Sequence, residues 1–332
     1  MQPGPRNLIT DVAGIEVGNA CDAALKSGVS VVLSDAPMTA SCAVMGGAPG
    51  TRDTELLEPD KTVPAVDALV LSGGSAFGLD AASGVSAGLA SEDRGYRVGS
   101  AKVPIVPAAI LFDLLNGGDK NWSTNPYAAL GRAAFEARSE SFDIGTAGAG
   151  YGALCGMMKG GLGSASFQLS SGITVGALVA ANPVGNLVEP EGKRFWAAPF
   201  EVGAEFGGCG VPNPKGPVGL AQSKLGRLVD GANTTLAIVA TDAILTKAEA
   251  KRLATISHDG FARAILPSHL PQDGDLIFAA STGRQPAPEG RLGFAELCHA
   301  ASLCVARAAA RGIFEASREQ NDTLPTWADF NR

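Results

Sequence analysis

A hydroxyl residue, Thr234, stands where a long polar segment of the sequence gives way to an apolar, β-branched run. Residues 206–233 are rich in Gly, Pro and polar side chains, whereas residues 235–241 are typical of a buried strand. If the bond between Asn233 and Thr234 is cut, Thr234 becomes a chain end whose free α-amine lies beside its own hydroxyl. That amine can act as the base for the hydroxyl, so no histidine is required. An ordinary strand start after a surface loop is the alternative interpretation.

Two carboxylates follow one another closely in the sequence. Asp273 and Asp275 flank a glycine directly before the apolar run 276–279. Residues two positions apart in an extended segment point to the same side, so both carboxylates can face one crevice. In a crevice, one carboxylate ionises while the other keeps its proton to higher pH, which places a donor beside an acceptor. A turn with two solvated aspartates is the alternative.

Two further polar residues lie in apolar surroundings. Lys159 is inside the glycine-rich run 157–163, where burial would lower the pKa of its ammonium and let it act as a charge stabiliser or a base. A surface lysine fits this sequence equally well. Asn182 follows an apolar run and offers an amide N–H that can stabilise an oxyanion, although asparagine before proline is also a common turn residue.

Other catalytic patterns in the sequence are weak. The three histidines, His258, His269 and His299, adjoin no exposed Ser or Cys motif, and we interpret them as surface or hydrogen-bonded structural residues. Residues 148–153 fit a relaxed Gly-x-Gly-x-x-Ala dinucleotide pattern. The residues before this loop are mostly polar, and no acidic residue lies in 165–174, where the fingerprint requires one. A dinucleotide-binding oxidoreductase is therefore only a weak alternative.

The composition indicates a well-buried chain. Its 332 residues are 45% apolar and 18% charged, and a chain of this length can bury a large core. The net charge of −7 argues against nucleic acid or an anionic membrane as a partner.

Low-charge stretches such as 177–185 are short or interrupted by glycine, so we expect no membrane span, and we see no signal peptide. We expect a cytoplasmic location, where the six scattered cysteines, which form no Cys-x-x-Cys motif, are buried, reduced thiols.

The elements that position these residues are predicted from hydrophobic periodicity. Buried strands are predicted at the apolar runs 29–33, 68–71, 173–181, 235–241 and 276–280. Helices are predicted at about 79–92, 127–137, 246–264 and 294–316. Thr246 and Glu249 have the spacing of a capping box at the start of the third helix. Since strands and helices do not alternate strictly, the pattern favours sheets covered by helices over a doubly wound sheet.

Taken together, these segments resemble the P1-family peptidases, the self-processing group that includes the DmpA-type aminopeptidases, the β-peptidyl aminopeptidases and the nylon-oligomer hydrolase. The resemblance covers nearly the whole chain and is more specific for the family than for the substrate. The matching segments are 9–20, 46–52, 71–80, 103–113, 159–163, 182–185, 233–235 and 273–275.

The resemblance implies an α+β fold, an αββα four-layer sandwich like that of N-terminal-nucleophile hydrolases (DmpA/ArgJ-like), in a single globular domain over residues 1–332. It implies self-cleavage between Asn233 and Thr234 into subunits 1–233 and 234–332 that stay associated. It also implies catalysis without a metal or an organic cofactor. Relatives assemble as tetramers of processed heterodimers, so we expect a homo-oligomer.

Carried over by position, the resemblance makes Thr234 the nucleophile, Asn182 the oxyanion-side amide and Lys159 a charged residue of the site. Asp273 and Asp275 are the acidic pair that orients the nucleophile, and Asp275 is an alternative base to the α-amine. Some members have Ser-x-Glu at the acidic pair and Ser as nucleophile, so this chain is closer to the nylon-oligomer hydrolase branch. We expect an amidohydrolase acting on small peptides, amino-acid amides or amide oligomers. A catalytically silent homologue that acts as a binding protein is the other alternative.

Overall fold

The secondary structure is taken from a computed structural model that describes residues 1–214, 216–226 and 233–331. The strands are β1 (Ile15–Asp22), β2 (Ser27–Val44), β3 (Thr51–Arg52), β4 (Val66–Ser72), β5 (Tyr96–Val98), β6 (Ala101–Val103), β7 (Ala108–Ile110), β8 (Gly161–Gln168), β9 (Thr174–Ala181), β10 (Leu236–Ala243) and β11 (Leu276–Gln285). The helices are α1 (Ala81–Ser91), α2 (Tyr127–Glu136), α3 (Lys247–Ala264), α4 (Gly290–Phe314) and α5 (Trp327–Phe330). Every strand and helix predicted from periodicity is confirmed. Part of the predicted polar segment, 227–232, lies outside the described residues.

The large sheet is divided into two halves by its longest strand. Eight strands follow the order β3-β7-β4-β2-β11-β10-β9-β8, and β1 pairs with β2 beside this path. The first part of β2 pairs with β4, and its last residues pair with β11, with a register shift between Leu33 and Met38. We call β1, β3, β4, β7 and the first part of β2 the β4 half. The last part of β2 with β8, β9, β10 and β11 is the β10 half, and β5 and β6 form a separate two-stranded sheet.

Three hydrophobic clusters lie between four layers of structure. The central cluster joins Leu69 of the β4 half to Ile238 and Phe278 of the β10 half, so the two halves pack face to face. A second cluster places α3 and α4 on the outer face of the β10 half, and a third places α1 and α2 on the outer face of the β4 half. Neighbouring strand residues such as Ala237 and Ile238 point into different clusters because side chains alternate across a sheet. The predicted αββα four-layer sandwich is therefore present.

Helix α4 corrects one expectation from the sequence. Its 25 residues are long and apolar enough to span a membrane by length and composition alone, although we expected no such stretch. In this structure 67% of its most apolar window is buried inside the protein. Helix α4 contacts α3, β8 and β9, and these contacts account for its apolar surface. A helix in a protein core meets the same criteria of length and hydropathy.

A buried ion pair connects α4 to distant parts of the chain. Arg307 is 0% exposed and donates to both oxygens of Glu205, through Nε at 2.6 Å and Nη2 at 2.8 Å. The same guanidinium donates to Asn7 Oδ1 at 2.8 Å and to Ser166 O at 3.1 Å. Burial by itself would raise the pKa of Glu205, but the hydrogen bonds and the charge of Arg307 lower it. The bidentate pair fixes α4 to the segment around Glu205, and the hydrogen bond to Asn7 connects α4 to the N-terminal part of the chain.

We expect Arg307→Ala to lower the free energy of unfolding by about 3–5 kcal/mol, because it leaves the buried Glu205 carboxylate without its bidentate partner. Arg132→Ala is the control, since it removes an exposed pair with Glu136 at 2.6 Å and should cost less than about 0.5 kcal/mol. Urea unfolding at neutral pH measures both values. Equal losses in the two variants would contradict the role of the buried pair.

Candidate active site

The junction between Asn233 and Thr234 is buried directly before β10. The two residues are 3% and 2% exposed. Thr234 Oγ1 donates to the carbonyl oxygen of Asn233 at 2.6 Å. The backbone N–H of Gly274 donates to the same oxygen at 2.7 Å. The carbonyl of the junction is therefore held between a hydroxyl and an N–H donor.

The loop before β11 runs beside this junction. Asn233 and Asp273 form a parallel bridge, which places the loop next to the end of the polar segment. A methyl group added at Gly274 would lie 2.5 Å from Thr234 Oγ1 and 2.7 Å from the carbonyl oxygen of Ala48. Only glycine therefore fits between the hydroxyl and the neighbouring backbone.

Asp275 holds the backbone on the far side of Thr234. Its carboxylate is buried, and Oδ1 accepts the backbone N–H of Thr235 at 2.8 Å. Oδ2 accepts the backbone N–H of His269 at 3.0 Å and lies 2.8 Å from the Nδ1 atom of the same histidine. The contact of His269 with the acidic pair was not predicted, because no sequence motif relates a histidine in a turn to a carboxylate six positions later.

Asp273 is also buried and accepts the backbone N–H groups of Val184 at 3.0 Å and Leu270 at 3.1 Å. Burial and the nearby charge of Asp275 raise the pKa of Asp273 to about 6, against the opposing effect of these two hydrogen bonds. Asp273 therefore keeps its proton to higher pH than an ordinary aspartate, as predicted for one member of the pair. The structure brings both predicted acids to the Thr234 junction.

Asn182 adjoins Thr234, but its side-chain amide is not directed at the junction. Its backbone carbonyl accepts the N–H of Thr234 at 3.1 Å. Its side-chain Nδ2 donates to Phe112 O at 3.1 Å, and its Oδ1 accepts the N–H of Leu154 at 2.9 Å. The amide N–H that the sequence suggested for an oxyanion is thus bound to a backbone carbonyl in this structure. The N–H that contacts the Asn233 carbonyl is that of Gly274.

Lys159 is paired with the C-terminal part of the chain. Burial lowers the pKa of this lysine, as predicted, and the hydrogen bond and charge of Asp322 oppose that effect. Its Nζ donates to Asp322 Oδ2 at 2.9 Å and to Ser317 O at 3.0 Å, and Lys26 pairs with the other oxygen of Asp322. Among the described residues, no hydrogen bond joins this ammonium to Thr234. The C-terminal loop that carries Asp322 therefore holds Lys159 in an ion-pair cluster with Lys26.

A different lysine, Lys224, lies next to the junction. It is 5% exposed, and its Nζ donates to both the backbone O and the Oδ1 of Asn182 at 3.0 Å. Burial lowers the pKa of Lys224 to about 7, while the negative charge of Asp273 acts in the opposite direction. This residue was not predicted, because a lysine in a Gly- and Pro-rich segment gives no periodic signal.

The glycine loop 148–153 packs inside the protein. Gly148–Gly150 form a short 3-10 turn that contacts β1, β2 and β8. The N–H of Gly148 donates to Cys21 Sγ at 3.0 Å, and the N–H of Ala149 donates to Ser30 Oγ at 3.0 Å. These two buried donors already have protein partners, so the geometry disfavours a dinucleotide phosphate at this loop.

Comparison with known proteins identifies related sequences along the whole chain. The profile of Peptidase family S58 matches residues 7–323. An uncharacterized aminopeptidase of Mycobacterium tuberculosis (strain ATCC 25618 / H37Rv) is 41% identical over 345 residues, covering 98% of this chain and 98% of the relative. A 6-aminohexanoate-oligomer endohydrolase of Kocuria sp. (strain KY2) is 29% identical over 292 residues, covering 86% of this chain and 78% of the relative.

Solved structures share the fold. A Burkholderia sp. β-aminopeptidase has a TM-score of 0.70 at 22% identity, covering 99% of this chain and 94% of the other. The L-aminopeptidase D-Ala-esterase/amidase of Ochrobactrum anthropi, described as a variant of the N-terminal-nucleophile hydrolase fold, has a TM-score of 0.69 at 20% identity, covering 99% and 93%. The predicted fold class and the family resemblance are confirmed. The chain belongs to peptidase family S58 and is a hydrolase of amide or peptide bonds.

Proposed function

We propose that this protein is a self-processing amidohydrolase whose nucleophile is the hydroxyl of Thr234, freed as a chain end by cleavage after Asn233. One observation carries the proposal: the Asn233 carbonyl oxygen is contacted by Thr234 Oγ1 at 2.6 Å and by the Gly274 nitrogen at 2.7 Å. A nucleophile and an N–H donor at one carbonyl are the two components that acyl transfer requires.

The first stage is cleavage of the chain itself. Thr234 Oγ1 attacks the carbonyl carbon of Asn233, and the N–H of Gly274 stabilises the negative charge that develops on the oxygen. A donor of this kind contributes about 2.7–4 kcal/mol in transition-state stabilisation. The carbon–nitrogen bond then breaks, and the proton of the hydroxyl is transferred to the departing nitrogen, which leaves an ester and a free α-amine. Water hydrolyses the ester and leaves Asn233 with a terminal carboxylate.

The backbone on both sides of the hydroxyl is fixed for this attack. The carbonyl of Asn182 accepts the N–H of Thr234, and Asp275 accepts the N–H of Thr235 at 2.8 Å. The β-branched side chain of threonine adds a stiff χ1 torsion. Because the reacting groups are held close before the reaction, little entropy remains to be lost at the transition state.

The second stage is hydrolysis of a substrate amide by the same hydroxyl. The α-amine of Thr234 accepts the hydroxyl proton and returns it to the leaving amine, and water releases the acyl group. Both oxygens of Asp275 are already bound by N–H groups, which favours the α-amine over this carboxylate as the base. Asp273 and Asp275 then serve to hold the backbone around the nucleophile. No step requires a metal or an organic cofactor.

The substrate class that fits is a small peptide, an amino-acid amide or an amide oligomer. Two relatives support this class by their names, one an aminopeptidase and one a 6-aminohexanoate-oligomer endohydrolase. The nucleophile is threonine and the acidic pair is Asp-Gly-Asp, as expected for the oligomer-hydrolase branch.

Intact mass spectrometry of the purified protein tests the proposal. We expect two species, residues 1–233 and residues 234–332, with the smaller one beginning at Thr234. A single full-length species that still hydrolyses amides would contradict self-processing. A cut protein that is inert towards aminoacyl nitroanilides and 6-aminohexanoate oligomers would favour the binding-protein alternative instead.

A further inference from the structure

Two nitrogen atoms converge on the backbone carbonyl of Asn182. The nitrogen of Thr234 donates to this oxygen at 3.1 Å, and Lys224 Nζ donates to it at 3.0 Å. Lys224 also donates to Asn182 Oδ1 at 3.0 Å, so its ammonium is held by two oxygens of one residue. In the uncut chain, one of the two nitrogens is a neutral amide. Cleavage after Asn233 turns it into a second amine beside the first.

We propose that Lys224 is a positioning residue that keeps the freed α-amine of Thr234 unprotonated, and therefore able to accept the proton of the Thr234 hydroxyl. This inference rests on the proposed self-cleavage. Two ammonium groups bound to one carbonyl repel each other, because a nearby like charge disfavours the charged form of both. The pair therefore releases its first proton at lower pH than either amine alone and titrates as one unit.

The proton that the pair retains stays on Lys224. The ordinary pKa of a lysine is about 10.4, whereas that of an α-amine is about 7.7–8.0. Burial lowers the pKa of Lys224 to about 7, and the same surroundings act on a Thr234 nitrogen that is equally buried and starts lower. Lys224 also has a second acceptor in Asn182 Oδ1, which stabilises its charged form. The α-amine is thus the member that becomes a free base.

The ionisable groups near the two amines lie on the loop before β11 and at Cys155. Asp273 and Asp275, on the loop before β11, raise the pKa of Lys224, as does the thiol of Cys155, and burial outweighs all three. His269 contacts Asp275. Within the described residues, Lys224 is therefore the cation that shares an acceptor with the Thr234 nitrogen.

The test compares the pH dependence of kcat/KM in the wild type and the Lys224→Met and Lys224→Arg variants. The substrate is either alanine p-nitroanilide or a 6-aminohexanoate oligomer, depending on which one the wild type hydrolyses. The rates are measured over about pH 5 to 10. Intact mass first establishes whether each protein begins at Thr234. Without the positive charge the pKa of the α-amine rises, so the acid limb of Lys224→Met should move up by about one pH unit, a roughly tenfold loss on that limb. Lys224→Arg keeps the charge, and its acid limb should not move up.

The matched control is Lys26→Met, which removes another lysine that is 5% exposed, one that pairs with Asp322, and should leave the acid limb where it is. If kcat/KM of Lys224→Met is lower at every pH but its acid limb does not move, Lys224 has only a structural role. That result would overturn the inference about Lys224 and leave the self-cleavage proposal standing. An uncut wild type would overturn the self-cleavage proposal as well. Competitive acetylation of the α-amine in the wild type and in Lys224→Met gives a second measurement of its pKa: a higher pKa in the variant supports the inference, and equal values overturn it.

Discussion

Thr234→Ala is expected to leave one uncut chain with no measurable amide hydrolysis. Alanine lacks the hydroxyl that donates to the Asn233 carbonyl at 2.6 Å, so neither stage of the reaction has a nucleophile. Loss of a catalytic hydroxyl of this kind lowers kcat by about 10⁶-fold in a well-studied hydrolase. A denaturing gel and intact mass, followed over days, measure the cut, and hydrolysis of an aminoacyl nitroanilide measures the activity.

Two further variants of Thr234 distinguish the effect of its hydroxyl from the effect of its branched shape. Thr234→Ser keeps a hydroxyl and should still be cut, although serine lacks the methyl group that restricts χ1. Thr234→Val keeps the branched shape without the hydroxyl and should remain intact. Two fragments from either Thr234→Ala or Thr234→Val would show that another group cuts the chain.

Gly274→Ala is expected to slow both the cut and the hydrolysis by about 100-fold or more. The added methyl group would lie 2.5 Å from Thr234 Oγ1 and 2.7 Å from Ala48 O. Because the Ala48 oxygen belongs to the backbone, the loop itself must move to relieve the contact. That movement displaces the N–H that contacts the Asn233 carbonyl at 2.7 Å, and loss of one such donor costs about 10²–10³ in rate.

The control for this substitution is Gly219→Ala, where no heavy atom lies within 4 Å of the added methyl group. This variant should be cut at the wild-type rate. The rate is measured as the appearance of the 234–332 fragment after cell-free synthesis, and kcat/KM is measured on the cut protein. Wild-type cutting by Gly274→Ala would mean that the Gly274 N–H is not required.

The strands and helices were predictable because their signals are local, whereas the meeting of Thr234 with the acidic pair was implied by the family resemblance and is explained by one strand pairing. The capping box of Thr246 and Glu249 has both of its hydrogen bonds. Strands β10 and β11 are parallel neighbours, with Leu236 opposite Leu276. Residues directly before two such strands meet at one edge of the sheet, which brings Thr234 beside the loop of Asp273 and Asp275.

The partners of Asn182 and Lys159 could not be predicted from the sequence. The Asn182 amide donates to a carbonyl 70 positions away, and Lys159 pairs with an aspartate 163 positions away. Neither contact has a local pattern, since each depends on which loop the tertiary fold brings over the side chain. Lys224 was not predicted either, because hydrophobic periodicity carries no information about a single polar residue in a Gly- and Pro-rich segment.

The central place of β10 and β11 has a thermodynamic consequence. Both strands belong to residues 234–332, yet they lie between β9 and β2, which belong to residues 1–233. A cut after Asn233 would therefore divide one sheet between two molecules. Folding would change from a unimolecular event into an association, and the melting temperature of the mature enzyme would depend on how concentrated it is. Dilution would then lower the stability of the mature enzyme, whereas the stability of the uncut precursor would not depend on its concentration.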